Sequence, residues 1–92
     1  MTESKQLNSI RLLLDAEKAE EAKQAFYELK SEETIDYLLL KGKIEQKFQN
    51  WGEAINAFNR VLDQEPENSE AKNNLHLIQN ILNFWNPDMY NP

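Results

Sequence analysis

Apolar and polar positions along this chain follow helical spacing, and no segment alternates them as a half-buried strand would. Ala54 and Phe58, four positions apart, would lie on the same face of a helix. Ala, Leu, Glu, Lys and Gln dominate the periodic segments, and only two glycines and three prolines interrupt the chain. The pattern therefore predicts an all-α fold, with helices at about residues 3–15, 18–31, 34–48, 51–64 and 69–85.

Some helix ends carry signals of their own. Asn50 followed by Glu53 has the spacing of a capping box, in which each side chain would bond the backbone of the other. Ser69 is a candidate N-cap for the last helix, and residues 63–68 form the polar connection that precedes it. These signals place the starts of the last two helices.

The chain repeats part of its pattern at a fixed interval. Ala22 and Phe26 stand 32 positions before Ala54 and Phe58. A small residue permits a close helix crossing, and an aromatic residue four positions later can fill the space beside it. Gly42 would allow the same approach from the preceding helix, because a side chain there would hold the two backbones apart. The recurrence predicts two similar helix pairs.

Gly42, Ala54, Phe58 and Pro66 together have the spacing of one tetratricopeptide repeat (TPR), a helix-turn-helix unit of about 34 residues. The chain resembles this family, although the acidic Glu45 departs from the apolar residue usual at its position. The resemblance implies a TPR-like α-α superhelix of two antiparallel helix pairs and a C-terminal capping helix. It implies one domain over about residues 1–86, with repeat one at about 3–33, repeat two at about 35–68 and the capping helix at about 69–85.

The composition narrows the expected partners and location. The formal net charge of −6 opposes binding to nucleic acid, whose phosphates require clustered Lys and Arg. The chain has no cysteine, which rules out disulfides and thiolate metal sites. No apolar segment is long enough to span a bilayer, and the N-terminal MTESKQLNS lacks the apolar core of a signal peptide. We therefore expect a cytoplasmic protein with no membrane partner.

The sequence offers no constellation typical of an active site. His76 is the only histidine, and a lone imidazole lacks the usual set of metal ligands. The paired acids Glu20 and Glu21 are adjacent, so on a helix they would point in different directions. No phosphate loop or dinucleotide fingerprint is present. The prediction is a protein that is not an enzyme and has no metal or cofactor.

In proteins similar to this one, the first helix of each pair lines a concave face that binds peptides. The resemblance therefore implies an adaptor or scaffold that binds a protein or peptide partner in this groove. The candidate partner-binding residues are Leu7, Arg11, Leu39, Lys43, Gln46, Lys47, Asn73, Leu77 and Asn80. The same faces include Leu14, Asp15, Ile81 and Phe84. A segment with apolar and acidic side chains would suit the three cations of this face.

Two alternatives remain open. Leu7, Leu14 and Leu39 are equally compatible with packing between neighbouring helices in so short a solenoid. The chain is also compatible with a structural module that forms a homodimer through the apolar residues of its last helix, which are Leu77, Ile81, Phe84 and Trp85.

Beyond the last helix, the sequence NPDMYNP contains two prolines and lacks helical periodicity, so residues 87–92 are expected to form an irregular tail. Met89 and Tyr90 either fold back onto the last helix or stay unordered.

Overall fold

The computed structural model describes residues 2–29 and 32–85, and this part of the chain contains five helices and no strand. The helices are α1 (Thr2–Asp15), α2 (Ala19–Tyr27), α3 (Ile35–Lys47), α4 (Trp51–Gln64) and α5 (Ser69–Trp85). The predicted all-α class is confirmed. The predicted tail at residues 87–92 lies outside the described residues, as do Met89 and Tyr90.

Four helices match their predicted ranges to within one residue at either end, but α2 ends earlier than predicted. The backbone N–H of Glu28 still donates to the carbonyl of Gln24, at 3.2 Å. The N–H of Leu29 donates instead to Phe26, three residues back, at 3.1 Å. This tighter spacing closes the helix. Leu29 packs against the core from outside the helix, which is why the apolar period continues beyond the helix end.

The predicted capping box of α4 and the predicted N-cap of α5 are both wrong. Asn50 occupies the N-cap position of α4, as expected, but its side chain makes no capping bond. Its amide is turned toward Glu45, to which it donates with 2.8 Å between Nδ2 and Oε1. Ser69 is the first helical residue of α5, and Asn68 is the cap, because its Oδ1 accepts from the backbone N–H of Ala71 at 2.9 Å.

The turns that follow α1 and α3 share one backbone conformation. Glu17 and Gln49, 32 positions apart, are both left-handed, with φ of 65° and 60°. In the first turn, the backbone N–H of Lys18 donates to the carbonyl of Leu13 at 2.9 Å, and the residues 32 positions later make the same bond at the same distance. A bond of this span after a left-handed residue is a Schellman ending. The recurrence seen in the side chains therefore extends to the backbone.

Helix α3 is the centre of the packing. The helices on either side of each shared turn contact one another, α1 with α2 and α3 with α4, while α5 packs on α4. Helix α3 also contacts α1, α2 and α5. Two buried apolar clusters meet on it. One contains Leu7, Ile10, Leu14, Ala22, Phe26, Leu40 and Ile44, and the other contains Leu38, Leu39, Ala54, Phe58, Val61, Ala71 and Ile78.

Gly42 allows the close crossing of α3 and α4. A Cβ placed on Gly42 would lie 2.6 Å from Cζ of Phe58, and two further ring carbons would be within 2.8 Å. The ring cannot move aside easily, because Phe58 is fully buried. The steric requirement predicted for Gly42 is therefore present, and it comes from the Phe58 ring.

We expect Gly42→Ala to lower the free energy of unfolding by about 1–3 kcal/mol, because the new methyl group would overpack the crossing. Gly52→Ala is the matched control, since a Cβ added there would have nothing within 4 Å of it. That variant should be unchanged or more stable by up to about 1 kcal/mol. Urea denaturation measures both, and equal stabilities for the two variants would contradict the steric role of Gly42.

Candidate partner-binding groove

An open groove lies between α1, α3 and α5, with a volume of about 540 Å³. This volume is within the range of about 300–1,000 Å³ that is common for ligand sites. Its lining combines apolar, amide and charged side chains, which are Leu14, Asp15, Glu17, Lys43, Gln46, Lys47, Gln49, Trp51, Asn74 and Ile81.

Three of the candidate residues on α3 line this groove together. Lys43, Gln46 and Lys47 are one helical turn or less apart, so they form a continuous polar stripe along the groove. Lys43 and Gln46 are half-buried, whereas Lys47 is exposed. These three side chains therefore lie in one hollow, and their role in binding a partner stays a prediction.

On α5, the groove is lined by one expected residue, Ile81, and by Asn74, which was not expected. The candidates Asn73, Leu77 and Asn80 are exposed and do not line it. The face of α5 toward the groove is therefore offset from the stripe of these three candidates. That face depends on packing against α4, which the spacing within α5 does not specify.

Leu7 and Leu39 are core residues, not exposed anchors for a partner. Their exposed fractions are 5% and 8%, and each belongs to one of the two buried clusters. Leu14 is equally buried, although an edge of it lines the groove. Packing between helices, the alternative left open by the sequence, therefore describes all three. Arg11 lines a separate hollow of about 360 Å³, together with Asp36 of α3.

Both groove lysines are paired with acids of neighbouring elements. Lys43 of α3 pairs with Glu70 in the first turn of α5. Lys47 pairs with Glu17 in the turn after α1, with 3.8 Å between Nζ and Oε2. The positive charge that α3 brings to the groove is thus largely compensated within the chain.

Gln46, between the two lysines, has an acceptor without a partner. Its Oε1 is buried and accepts no hydrogen bond from any described residue. A buried acceptor left unbonded costs about 1–3 kcal/mol, so such atoms are rare unless something else satisfies them. Within the described part of the chain, the buried Gln46 carbonyl is therefore an unsatisfied acceptor beneath the groove surface.

Sequence reasoning missed four residues of the groove: Glu17, Gln49, Trp51 and Asn74. The first three lie in or just after the two Schellman turns, at the mouth of the groove. The 32-residue recurrence could have identified Glu17 and Gln49, because they occupy equivalent positions in the two turns. Trp51 could have been identified as the first residue of a helix that begins next to the groove-lining end of α3.

Behind the groove, a buried carboxylate ties α2 to α3. Glu45 is only 3% exposed. Its Oε1 accepts from Nζ of Lys23 at 3.1 Å and from Nδ2 of Asn50 at 2.8 Å, and its Oε2 accepts from the hydroxyl of Tyr27. The Lys23 ammonium also lies 4.6 Å from the centre of the Phe48 ring. Every oxygen of this buried acid therefore has a donor.

These contacts shift two pKa values in opposite directions. Burial opposes ionisation of Glu45, but the hydrogen bonds from Asn50, Tyr27 and Lys23, with the charge of Lys23, outweigh it and hold the pKa of Glu45 below its ordinary value. Burial and the adjacent Glu45 carboxylate raise the pKa of Tyr27. Glu45 is thus the ionised acceptor and Tyr27 the neutral donor at neutral pH.

The described residues contain no group of three His, Asp or Glu side chains that could hold a metal ion. His76 is exposed on α5. Among the helices described, none has both the length and the apolar character needed to cross a membrane.

Glu45→Gln should lower the free energy of unfolding at neutral pH by about 1–3 kcal/mol, because hydrogen bonds to a charged acceptor are replaced by weaker ones. The pKa of Glu45 is below 4.5 in the folded state, so its stabilisation is present above about pH 4.5 and is lost as the pH falls through the folded value. The stability gap between wild type and variant should therefore narrow from about pH 6 to pH 3.

Glu21→Gln is the matched control, since Glu21 is exposed on α2. Its stability should follow that of the wild type across the same pH range in urea denaturation. A constant gap between wild type and Glu45→Gln at every pH would contradict the ionised role of Glu45.

Comparison of the chain with protein-family models, with curated proteins and with solved structures finds no match. The role of the groove is therefore inferred from its own geometry and charges.

Proposed function

We propose that this protein is a non-catalytic adaptor or scaffold of the TPR type, which binds a segment of a partner protein in the groove between α1, α3 and α5. The observation that carries this proposal is the composition of the groove. It places the Trp51 ring and the apolar edges of Leu14 and Ile81 beside amide and charged groups in one open concavity. Protein interfaces likewise combine an apolar centre with polar and charged groups at its rim.

Support for the TPR type comes from the helix crossings. The two Schellman turns repeat after 32 residues, and the Gly42 backbone lies against the Phe58 ring. Ala22 and Ala54 are both fully buried, as small residues at close crossings should be. These features favour two antiparallel pairs, α1 with α2 and α3 with α4, and a capping role for α5 on α4.

The chemistry of the acids also favours binding over catalysis. Glu45 is the one carboxylate among the described residues that burial separates from solvent, and its oxygens are engaged by Lys23, Tyr27 and Asn50. A general acid or base must be free to exchange a proton with a substrate. We therefore assign Glu45 a structural role.

Asn74→Trp should abolish binding of native partners, because an indole at this half-buried position would fill the α5 side of the groove. Asn56→Trp is the matched control, since Asn56 is exposed on α4 and does not line the groove. Each variant is immobilised and exposed to native lysate, and bound proteins are quantified against the wild type. Circular dichroism checks that both variants keep their helical content.

If Asn74→Trp retains the wild-type partners, the groove is not the binding site. Loss of the same partners from Asn56→Trp alone would place the interface on the outer face of α4.

A second candidate function, self-association through α5, is favoured by a different observation. Leu77 is 49% exposed and Phe84 is 78% exposed, and these two large apolar side chains lie about two helical turns apart on α5. A homodimer would bury both. Ile81 is half-buried and already lines the groove, and the side chain of Trp85 lies outside the described residues.

If the protein self-associates in this way, sedimentation velocity across a concentration series should show a dimer. The double variant Leu77→Ser, Phe84→Ser should then sediment as a monomer. Leu12→Ser is the control, because Leu12 is 61% exposed on α1, away from α5. A wild-type protein that sediments as a monomer at every concentration would contradict self-association.

A further inference from the structure

Both lysines of the groove have acidic partners, whereas the side-chain carbonyl of Gln46 has no hydrogen-bond donor among the described residues. Lys43 and Lys47 each lie within ion-pair distance of an acid, Glu70 and Glu17, and these acids would repel an acidic ligand. Neither lysine of the groove is therefore unpaired.

Asp15 adds an uncompensated negative charge at the same place. Its side chain is exposed, lines the groove and belongs to no ion pair within the described part of the chain. It is also the last residue of α1, whose final turn carries no basic residue. A carboxylate at the negative end of a helix dipole is unfavourable unless a cation is nearby. This corner of the groove thus attracts positive charge.

Trp51 provides a surface that suits the same kind of ligand. Its ring is half-buried at the start of α4 and lines the groove. Lys and Arg side chains are attracted to the faces of aromatic rings, and Trp attracts them most strongly. Leu14 and Ile81 offer apolar contact in the same concavity.

We propose that the groove binds a partner segment that carries a Lys or Arg side chain next to apolar residues. The cation would interact with Asp15 and Trp51, and the apolar residues would contact Leu14 and Ile81. This inference rests on the proposed function of the groove. The partner segment is therefore basic, and not acidic as expected from the sequence, because both lysines are paired with acids.

The charge of the whole protein acts in the same direction. A net charge of −6 draws basic partners and repels acidic ones at distances beyond direct contact. Such steering raises the association rate and weakens with added salt. It is not specific to the groove, so any test of the groove requires a control of equal net charge.

The test uses the full chain with Trp85→Phe, which leaves Trp51 as the only tryptophan and makes its fluorescence a reporter of the groove. Three peptides of equal length are titrated, each built from Leu and Ala, with Lys, Gln or Glu at the same positions. The Lys peptide should change Trp51 emission at the lowest concentration, and its affinity should fall as salt is raised.

Asp15→Asn should weaken binding of the Lys peptide about twofold to fivefold, as expected for one partly exposed charge pair. Asp63→Asn is the matched control, because Asp63 is exposed on α4 outside the groove and the net charge changes equally. It should leave the affinity unchanged at moderate salt. Glu70→Gln, which releases Lys43, should weaken the Lys peptide and strengthen the Glu peptide.

Tighter binding by the Glu peptide would overturn the inference while leaving the groove as the binding site. Equal effects of Asp15→Asn and Asp63→Asn would overturn it too, since attraction would then come from net charge alone. So would the absence of binding by all three peptides up to about 1 mM. Failure of the proposed function is distinct: native partners would then survive the Asn74→Trp block.

Discussion

Packing on two sides of α3 is the constraint on which the rest of the structure depends. Three consecutive leucines, Leu38 to Leu40, spread over roughly 200° of a helix and so cannot share one face. Leu40 packs with the α1 and α2 cluster, and the other two pack with the α4 and α5 cluster. The side of α3 that lines the groove carries Lys43 and Lys47. The leucines that join the two halves thus leave this side open to the groove.

The buried carboxylate of Glu45 explains two departures from local sequence rules. An acid at this depth requires donors for both oxygens, since an unpaired buried charge is strongly destabilising. Asn50 provides one of these bonds, and its side chain makes no capping bond to α4. Tyr27 provides another from the end of α2. The hydrogen bonds to the buried Glu45 therefore outweigh the local capping signal of Asn50. The bond from Tyr27 also links α2 to α3.

The features that the sequence predicted correctly depend on residues close together in the chain. The features that it missed depend on how distant segments pack against each other. Helix ranges follow from periodicity, and the Gly42 and Phe58 contact follows from residue size at a repeated spacing. The face that α5 presents to the groove and the burial of Leu7 and Leu39 follow from how whole helices pack. The prediction of Ser69 as the N-cap of α5 was wrong by one residue, because Asn and Ser are nearly equal as caps and Asn68 directly precedes Ser69.

The net charge of the groove cannot be predicted from its lysines alone, because acids from other elements lie beside them. Lys43 pairs with a residue 27 positions away and Lys47 with one 30 positions away, so neither pair has a signal at helical spacing. Each pair is partly exposed and contributes at most about 1 kcal/mol to stability, yet it neutralises a lysine toward an incoming ligand. Among the described residues of the groove, the charged group that a ligand meets unpaired is therefore the Asp15 carboxylate. The charge of the ligand that such a groove prefers is therefore determined by its unpaired charged groups.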